Sequence, residues 1–353
     1  MKFEHPKWWD PYSDQPYKLP PQDKSRLETD KLLEYLRTGL TATLASPLIA
    51  WNYAFPGRTQ SPRLTDFVGL GISPDHGDHS QIAELVDELG VKRLLLRVPT
   101  WHLESLDNYL EFAQRFKGCL FLINILQSRD CIAQPDQWQE ALDRIVSQFL
   151  PLTKEFQIGN AVNRSKWGCR HTGDYLDLLE ASRAIRAQYP DIILGGSSVI
   201  DFEPLATLRT LIHFRAIHLD ACTSAMYVNR RGSPYSSQYG IFALKQKLRL
   251  VHAIAKSSWH CKTRLWVTET NWPLLNTKPY TPNSGLPRST VDEQTQAEYL
   301  RDYYKIAYQL GLVERVYWWQ LVNPGYGLVD HRDGMRKMPS FFAFKNLLQS
   351  DSI

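Results

Sequence analysis

The stretch Phe67–Val98, FVGLGISPDHGDHSQIAELVDELGVKRLLLRV, holds two short aliphatic runs separated by an amphipathic segment of helical period. Phe67–Ile72 and Arg93–Val98 read as strands. Asp78 stands where a helix N-cap is expected, because a short carboxylate can accept the first unpaired backbone N–H groups. The same unit recurs downstream, with further strand candidates at Cys119–Ile125, Glu155–Gly159, Ile192–Ser197, Ile217–Ser224, Leu265–Thr270 and Val313–Leu321. Each is followed by a helical pattern. In Asp174–Gln188, Tyr175, Leu178, Leu179 and Ile185 share one face, and Thr290 with Glu293 forms a capping box for a helix that stops at Gly311. Eight strand–helix units imply right-handed crossovers and parallel pairing, which predicts a single α/β (β/α)8 TIM barrel over residues 66–353. A doubly wound open sheet would carry a glycine-rich turn after its first strand, and Gly69-Leu70-Gly71 lacks the third glycine.

Residues 1–65 form an N-terminal extension, Pro-rich and without a recognised motif, that would brace the bottom of the barrel or reach up one side. A helix is expected at Ser25–Thr38. The beginning of the chain, MKFEHPKWWD, has no apolar core behind a basic start, and the most apolar run, Leu44–Phe55, is short and broken by proline. No membrane span is expected. Five cysteines (119, 131, 169, 222 and 261) include no CxxC pair, so a reducing compartment, the cytoplasm, is the expectation. With 41 basic and 37 acidic residues, the charge is too mild to predict a nucleic-acid partner. Eleven Trp and 17 Tyr suit a ligand with flat, weakly polar faces, of which sugars are the commonest, although Trp also fills cores.

In a barrel of this kind chemistry sits at the C-terminal ends of the strands. Strand 7 ends Trp266-Val267-Thr268-Glu269-Thr270-Asn271-Trp272-Pro273. A carboxylate there is placed to act as nucleophile or base, or to join an ion-pair network at the barrel mouth. Strand 4 ends Gly159-Asn160-Ala161-Val162-Asn163, strand 2 ends with Arg97, strand 6 runs into Tyr227, and strand 8 ends with Trp318-Trp319. No G-x-S-x-G elbow supports serine hydrolase chemistry. Asp75-His76-Gly77-Asp78-His79 reads as a polar capping loop in preference to a metal site, since no other cluster has metal-ligand spacing. Neither metal nor cofactor is assigned. Arg164, Lys166, Arg170, Arg230, Arg231, Arg332, Arg336 and Lys337 all fall in loops after strands 4, 6 and 8. They are expected either to gather as a basic rim for an anionic ligand or to form a solvated surface.

Over roughly residues 67–345 these strand ends resemble the clan A glycoside hydrolases, in particular the xylosidase/iduronidase-like branch. In that branch a Trp near the end of strand 8 leads to a Gly-Leu-hydrophobic-Asp turn, here Gly327–Asp330, and then to a helix that begins Lys/Arg-x-Pro-x-Phe, here Lys337–Phe341. The resemblance implies Glu269 as nucleophile, with Arg97 and Tyr227 holding it. It makes Asn160 the reader of a sugar 2-hydroxyl and Trp319 (or Trp318) the floor of the subsite. Asn163, Arg164, Lys166 and Trp272 complete the expected substrate-binding set. Where the family carries its acid/base Glu, this chain has Ala161, 108 residues before Glu269, and the family's following Pro is Val162. A retaining glycosidase needs a second carboxyl about 5 Å from the nucleophile. Three consequences stand open: an acid from another loop (Asp201, Glu203 or Asp330), an inverting enzyme or one using activated leaving groups, and a non-catalytic glycan-binding pseudoenzyme. The expected partner is a carbohydrate, an oligo- or polysaccharide, with an anionic glycan as the sharper form.

Overall fold

In the computed structural model, which describes residues 3–20, 31–57, 62–228, 232–281 and 289–350, the eight aliphatic runs are the strands of one closed barrel. They are β1 (Val68–Ile72), β2 (Arg93–Pro99), β3 (Leu120–Leu126), β4 (Glu155–Ile158), β5 (Ile193–Ile200), β6 (Ala221–Ala225), β7 (Leu265–Thr270) and β8 (Arg315–Trp318). All pairings are parallel. β8 closes the ring by pairing Val316 with Val68 of β1 and with Val267 of β7, so no barrel strand has a free edge. Helices cover the outside and side chains fill the inside. Strands buried on both faces have no reason to alternate polar with apolar, and these do not.

The alternation survives as a choice between two apolar environments. Along β8, Val316 and Trp318 join the core beneath the helices, whereas Tyr317 and the next residue, Trp319, pack inside the barrel with Leu95, Leu122, Trp266 and Tyr326. Lower in the lumen the Arg315 guanidinium lies 4.0 Å from the centroid of the Trp266 ring and is ion-paired with Glu155 of β4. Trp319 fits because β1 offers no side chain at Gly71, where a Cβ would come within 2.3 Å of its ring. Gly71→Ala is therefore expected to destabilise the fold by the cost of overpacking, about 1–3 kcal/mol. Urea denaturation would measure it, and an unchanged midpoint would contradict the packing.

The helices follow their predicted faces. His79–Leu89 is capped by Asp78, whose Oδ1 accepts from the N–H groups of Ser80 (3.0 Å) and Gln81 (3.1 Å). Thr172–Gln188 buries Tyr175, Leu178, Leu179 and Ile185. One cap differs from expectation. Helix Glu293–Leu310 takes Asp292, not Thr290, as its N-cap, with Oδ1 accepting from Thr295 N–H at 2.7 Å. The carboxylate stands immediately before the first turn, the position from which it reaches N3, and Glu293 turns instead to Arg336. Gly311 ends the helix with φ 66°.

The N-terminal part of the expected helix at Ser25–Thr38 lies outside the described residues, and the described helix, Lys31–Ala54, continues well past Thr38. It lies along helices Pro204–Leu211 and Leu244–Lys256. Two of its polar residues face inward: Glu34 pairs with Arg209 (2.7 Å), and Asn52 donates to Ser257 Oγ (2.9 Å). Leu36, Leu40, Leu44, Leu48 and Trp51 are exposed on the outside. No helix among the described residues is long and apolar enough to cross a membrane. Ahead of that helix, residues 3–20 cross the mouth of the barrel at the C-terminal ends of the strands. Trp9–Asp10 pairs antiparallel with Gln15–Pro16, and Trp9 packs against Trp101 and Trp167, with ring centroids 5.0 and 5.5 Å away. The extension thus covers the top of the barrel as well as one side.

Candidate active site

A cavity of about 500 Å³ opens among the C-terminal strand ends. Glu269, the fifth residue of β7, reaches it with only 8% of its surface exposed. Arg97 of β2 donates to its Oε2, and the Tyr227 hydroxyl, just past β6, donates to its Oε1. Both carboxyl oxygens therefore face hydrogen-bond donors. The Arg97 guanidinium also lies 3.5 Å from the centroid of the Trp319 ring, which holds it flat over the cavity floor. The cis-linked pair Trp319-Gln320 follows β8, and the Trp319 carbonyl accepts from Asn271 Nδ2 at 2.7 Å.

On the β4 side the chain turns at Gly159 (φ 77°), and Asn160 follows on the cavity wall. Its backbone is clamped by the side chain of Gln127 beyond β3: Oε1 accepts from Asn160 N–H (2.9 Å) and Nε2 donates to its carbonyl (2.8 Å). Ala161, with φ 48°, is fully buried against Trp9, Leu126 and Trp167. Arg164 reaches back to the β5 loop, pairing with Asp201 (2.7 Å) and Glu203. Asn163 ties the same loops from behind, donating to Glu203 Oε2 (2.8 Å) and to the Ile200 carbonyl (2.9 Å). Lys166 donates to Gln15 at the rim, and burial, with Arg164 nearby, lowers its pKa to about 8.

The structure brings Glu269, Arg97, Tyr227, Asn160, Trp319, Arg164, Lys166, Asp201 and Glu203 to this one cavity. Three expected residues are elsewhere. Asn163 lies behind the wall. Trp272 is fully buried between the barrel and helix Glu293–Leu310, stacked 6.0 Å from Trp318, with its indole N–H on the Gly232 carbonyl (2.9 Å). Its neighbours Asn271 and Pro273 line the cavity while Trp272 itself points outward into the core beneath the helices, so the strand-end position did not translate into exposure. Asp330 is also remote. Burial alone would raise its pKa, but Arg332 and Arg336 outweigh that and hold it at about 2, so it carries no proton near neutral pH.

The basic rim contracts for the same reason. Arg332 and Arg336 serve Asp330 and Glu293, Arg170 serves Asp174, and Lys337 serves Glu88. Arg230 and Arg231 lie outside the described residues. Of the remaining members, Arg164 and Lys166 face the cavity. Among the described residues no group of three or more His, Cys, Asp or Glu is arranged to hold a metal ion.

Eight polar residues on the wall were not foreseen: Ser13, Asp14 and Gln15 of the N-terminal segment, Gln238 and Tyr239 beyond β6, Asn271 and Ser289 beyond β7, and Tyr326 beyond β8. Asp14 Oδ2 accepts from Gln320 Nε2 at 2.7 Å, and its carbonyl accepts from Arg97 Nη1 at 3.4 Å. Nothing periodic in MKFEHPKWWDPYSDQPYKLP announces this contact. Only the acid itself, in an aromatic stretch of unusual density, was visible as a signal.

No protein-family model matches the chain, and no curated protein sequence does. Among solved structures the chain is similar to a family 39 glycoside hydrolase from the gut symbiont Bacteroides cellulosilyticus WH2, with a TM-score of 0.61 and 17% identity over 81% of this chain. That alignment spans 64% of the other protein's length. It is also similar to the virulence factor SghA from Agrobacterium tumefaciens (TM-score 0.54, 12% identity, 87% of this chain and all of that one). A third likeness is to a GH30 endoxylanase from Clostridium papyrosolvens C71 (TM-score 0.53, 12% identity, 83% of this chain and 73% of that one). At these identities the likeness is one of fold, a parallel eight-stranded barrel that these glycoside hydrolases share.

Proposed function

We propose that this protein hydrolyses O-glycosidic bonds of a glycan, with Glu269 as the nucleophile. The observation that carries the reading is the seating of Glu269: a carboxylate at the end of β7, with Arg97 and Tyr227 donating to its two oxygens, beside a cavity floored by Trp319. A carboxylate set into the wall of such a cavity can attack the anomeric carbon of a sugar held there. Asn160, fixed by Gln127, supplies a hydrogen-bonding side chain for a ring hydroxyl. An activated 2-deoxy-2-fluoro glycoside tests the assignment directly. Mass spectrometry of the digested protein should show one sugar attached to the peptide that contains Glu269, and a label on any other carboxylate would refute it.

A second reading, a sugar-binding barrel without catalysis, is favoured by one feature: Ala161 is sealed beneath Trp9 and Trp167, where a proton donor was expected. Under that reading the protein binds glycans and turns over none of them.

We further propose that the glycan is anionic and that Lys166 meets its charge. The ammonium is charged below its pKa of about 8 and neutral above it, so affinity for a uronic-acid ligand should fall as pH rises through 8. Calorimetric titration from pH 6 to 9 would show the decline in the parent and its loss in Lys166→Gln. A pH-independent affinity in the parent would refute the pairing.

A further inference from the structure

The position where a proton donor was expected is closed by the N-terminal segment, and the same segment carries a different carboxyl into the cavity. We propose that Asp14 is the general acid, and in the second step the general base, for hydrolysis at Glu269; this rests on the reading of Glu269 as nucleophile.

The geometry starts from one guanidinium. Arg97 Nη2 donates to Glu269 Oε2, and Nη1 donates to the backbone carbonyl of Asp14 at 3.4 Å. The Glu269 carboxylate and the Asp14 main chain are therefore attached to the two terminal nitrogens of a single planar fork. Both residues line the same cavity, and the Glu269 charge lies close enough to act on the Asp14 carboxyl. Asp14 is 6% exposed and adopts φ 54°, a left-handed backbone that Asp tolerates better than most residues and that costs energy to hold. Gln320 grips Oδ2 at 2.7 Å. Oδ1 has no hydrogen-bond partner among the described residues, and the residue lines the cavity.

The surroundings favour the protonated form. Burial raises the Asp14 pKa, Arg97, Gln320 and His5 oppose it, Glu269 adds to it, and the net direction is upward. The other titratable groups that face it are Asp75 beyond β1, Tyr109, and Tyr326 beyond β8. Two neighbouring carboxyls in unlike settings, one held by two donors and the other desolvated, are what an acid and a nucleophile require. The competing acids on the wall are engaged: Asp201 and Glu203 share the Arg164 guanidinium, and protonating either would break its ion pair.

In the first step Asp14 gives its proton to the glycosidic oxygen. The C1–O bond breaks, Glu269 bonds to C1, and the alcohol leaves. In the second step the Asp14 carboxylate takes a proton from water, the water oxygen bonds to C1, and the Glu269 ester opens. The sum is glycoside plus water giving free sugar plus alcohol.

The test compares the parent, Asp14→Asn and Glu203→Gln on an alkyl glycoside and on the matching dinitrophenyl glycoside, whose leaving group needs no proton. For Asp14→Asn, kcat/KM on the alkyl glycoside should fall by about 10²–10⁴. Bond cleavage of the dinitrophenyl glycoside should be nearly preserved, added azide should accelerate turnover and yield glycosyl azide, and the alkaline limb of the pH–rate profile should vanish. If Asp14→Asn behaves as the parent, or Glu203→Gln shows these changes in its place, the Asp14 assignment is overturned while the Glu269 reading stands. A parent inert on every glycoside overturns both. Should Asp14→Asn not fold, carboxyl ¹³C titration of the parent decides: a midpoint above the ordinary carboxylate range supports the proposal, and one at or below that range ends it.

Discussion

Glu269→Gln is expected to lower kcat/KM by roughly 10³–10⁶-fold, the span between losing a transition-state contact and losing a nucleophile. The substitution keeps the shape of the side chain but replaces one acceptor oxygen with an amide NH2. Whichever way the amide turns, that NH2 meets Arg97 or Tyr227, both of which donate in the parent. Sugar affinity should change far less than rate, because the Trp319 floor and Asn160 are untouched. Steady-state kinetics beside calorimetric binding would separate the two effects. A variant retaining most of the parental rate would remove Glu269 from the chemistry. Equal binding with no turnover by either protein would favour the sugar-binding reading.

The largest expected loss of stability comes from inside the barrel, away from the cavity. Arg315→Met should cost about 3–5 kcal/mol, because it leaves the Glu155 carboxylate without its partner in a poorly solvated lumen. Arg315 is 1% exposed and donates to both Glu155 oxygens, one of them at 3.1 Å. Packing aggravates the loss, since the guanidinium also covers the Trp266 ring. Pairing Arg315→Met with Glu155→Leu should recover most of the deficit, because an apolar pair of similar volume carries no desolvation debt. Guanidinium unfolding of both variants measures this. A single variant as stable as the parent, or a double variant as weak as the single, would contradict it.

The barrel was legible because eight strands buried on both faces leave eight aliphatic runs at regular intervals, and nothing else in the chain imitates them. The core of the site was legible for a related reason: in a parallel barrel the ends of the strands converge, which put Arg97, Asn160, Tyr227, Glu269 and Trp319 at one mouth, and the resemblance singled them out there. Position failed where the chain leaves the strand. Trp318 and Trp319 are adjacent, yet the two-residue period sends one to the helices and the other to the lumen. Trp272 follows β7 by two residues and is core. Arg332 and Arg336 looked like a ligand rim until their partners, Asp330 and Glu293, were seen in space. Asp14 was beyond reach altogether, because no local pattern encodes a contact with a residue 306 positions away.

That last distance also has a meaning in time. The barrel can accumulate unit by unit as the chain lengthens, since each strand pairs with the one before it. The wall formed by Asp14 cannot, because it closes only when Gln320, beyond the eighth strand, has been made and has found its place. Contacts of such separation pay their loop-closure entropy late. A growing chain can therefore hold much of its barrel while Asp14 still waits for Gln320, and this wall of the cavity closes late in folding.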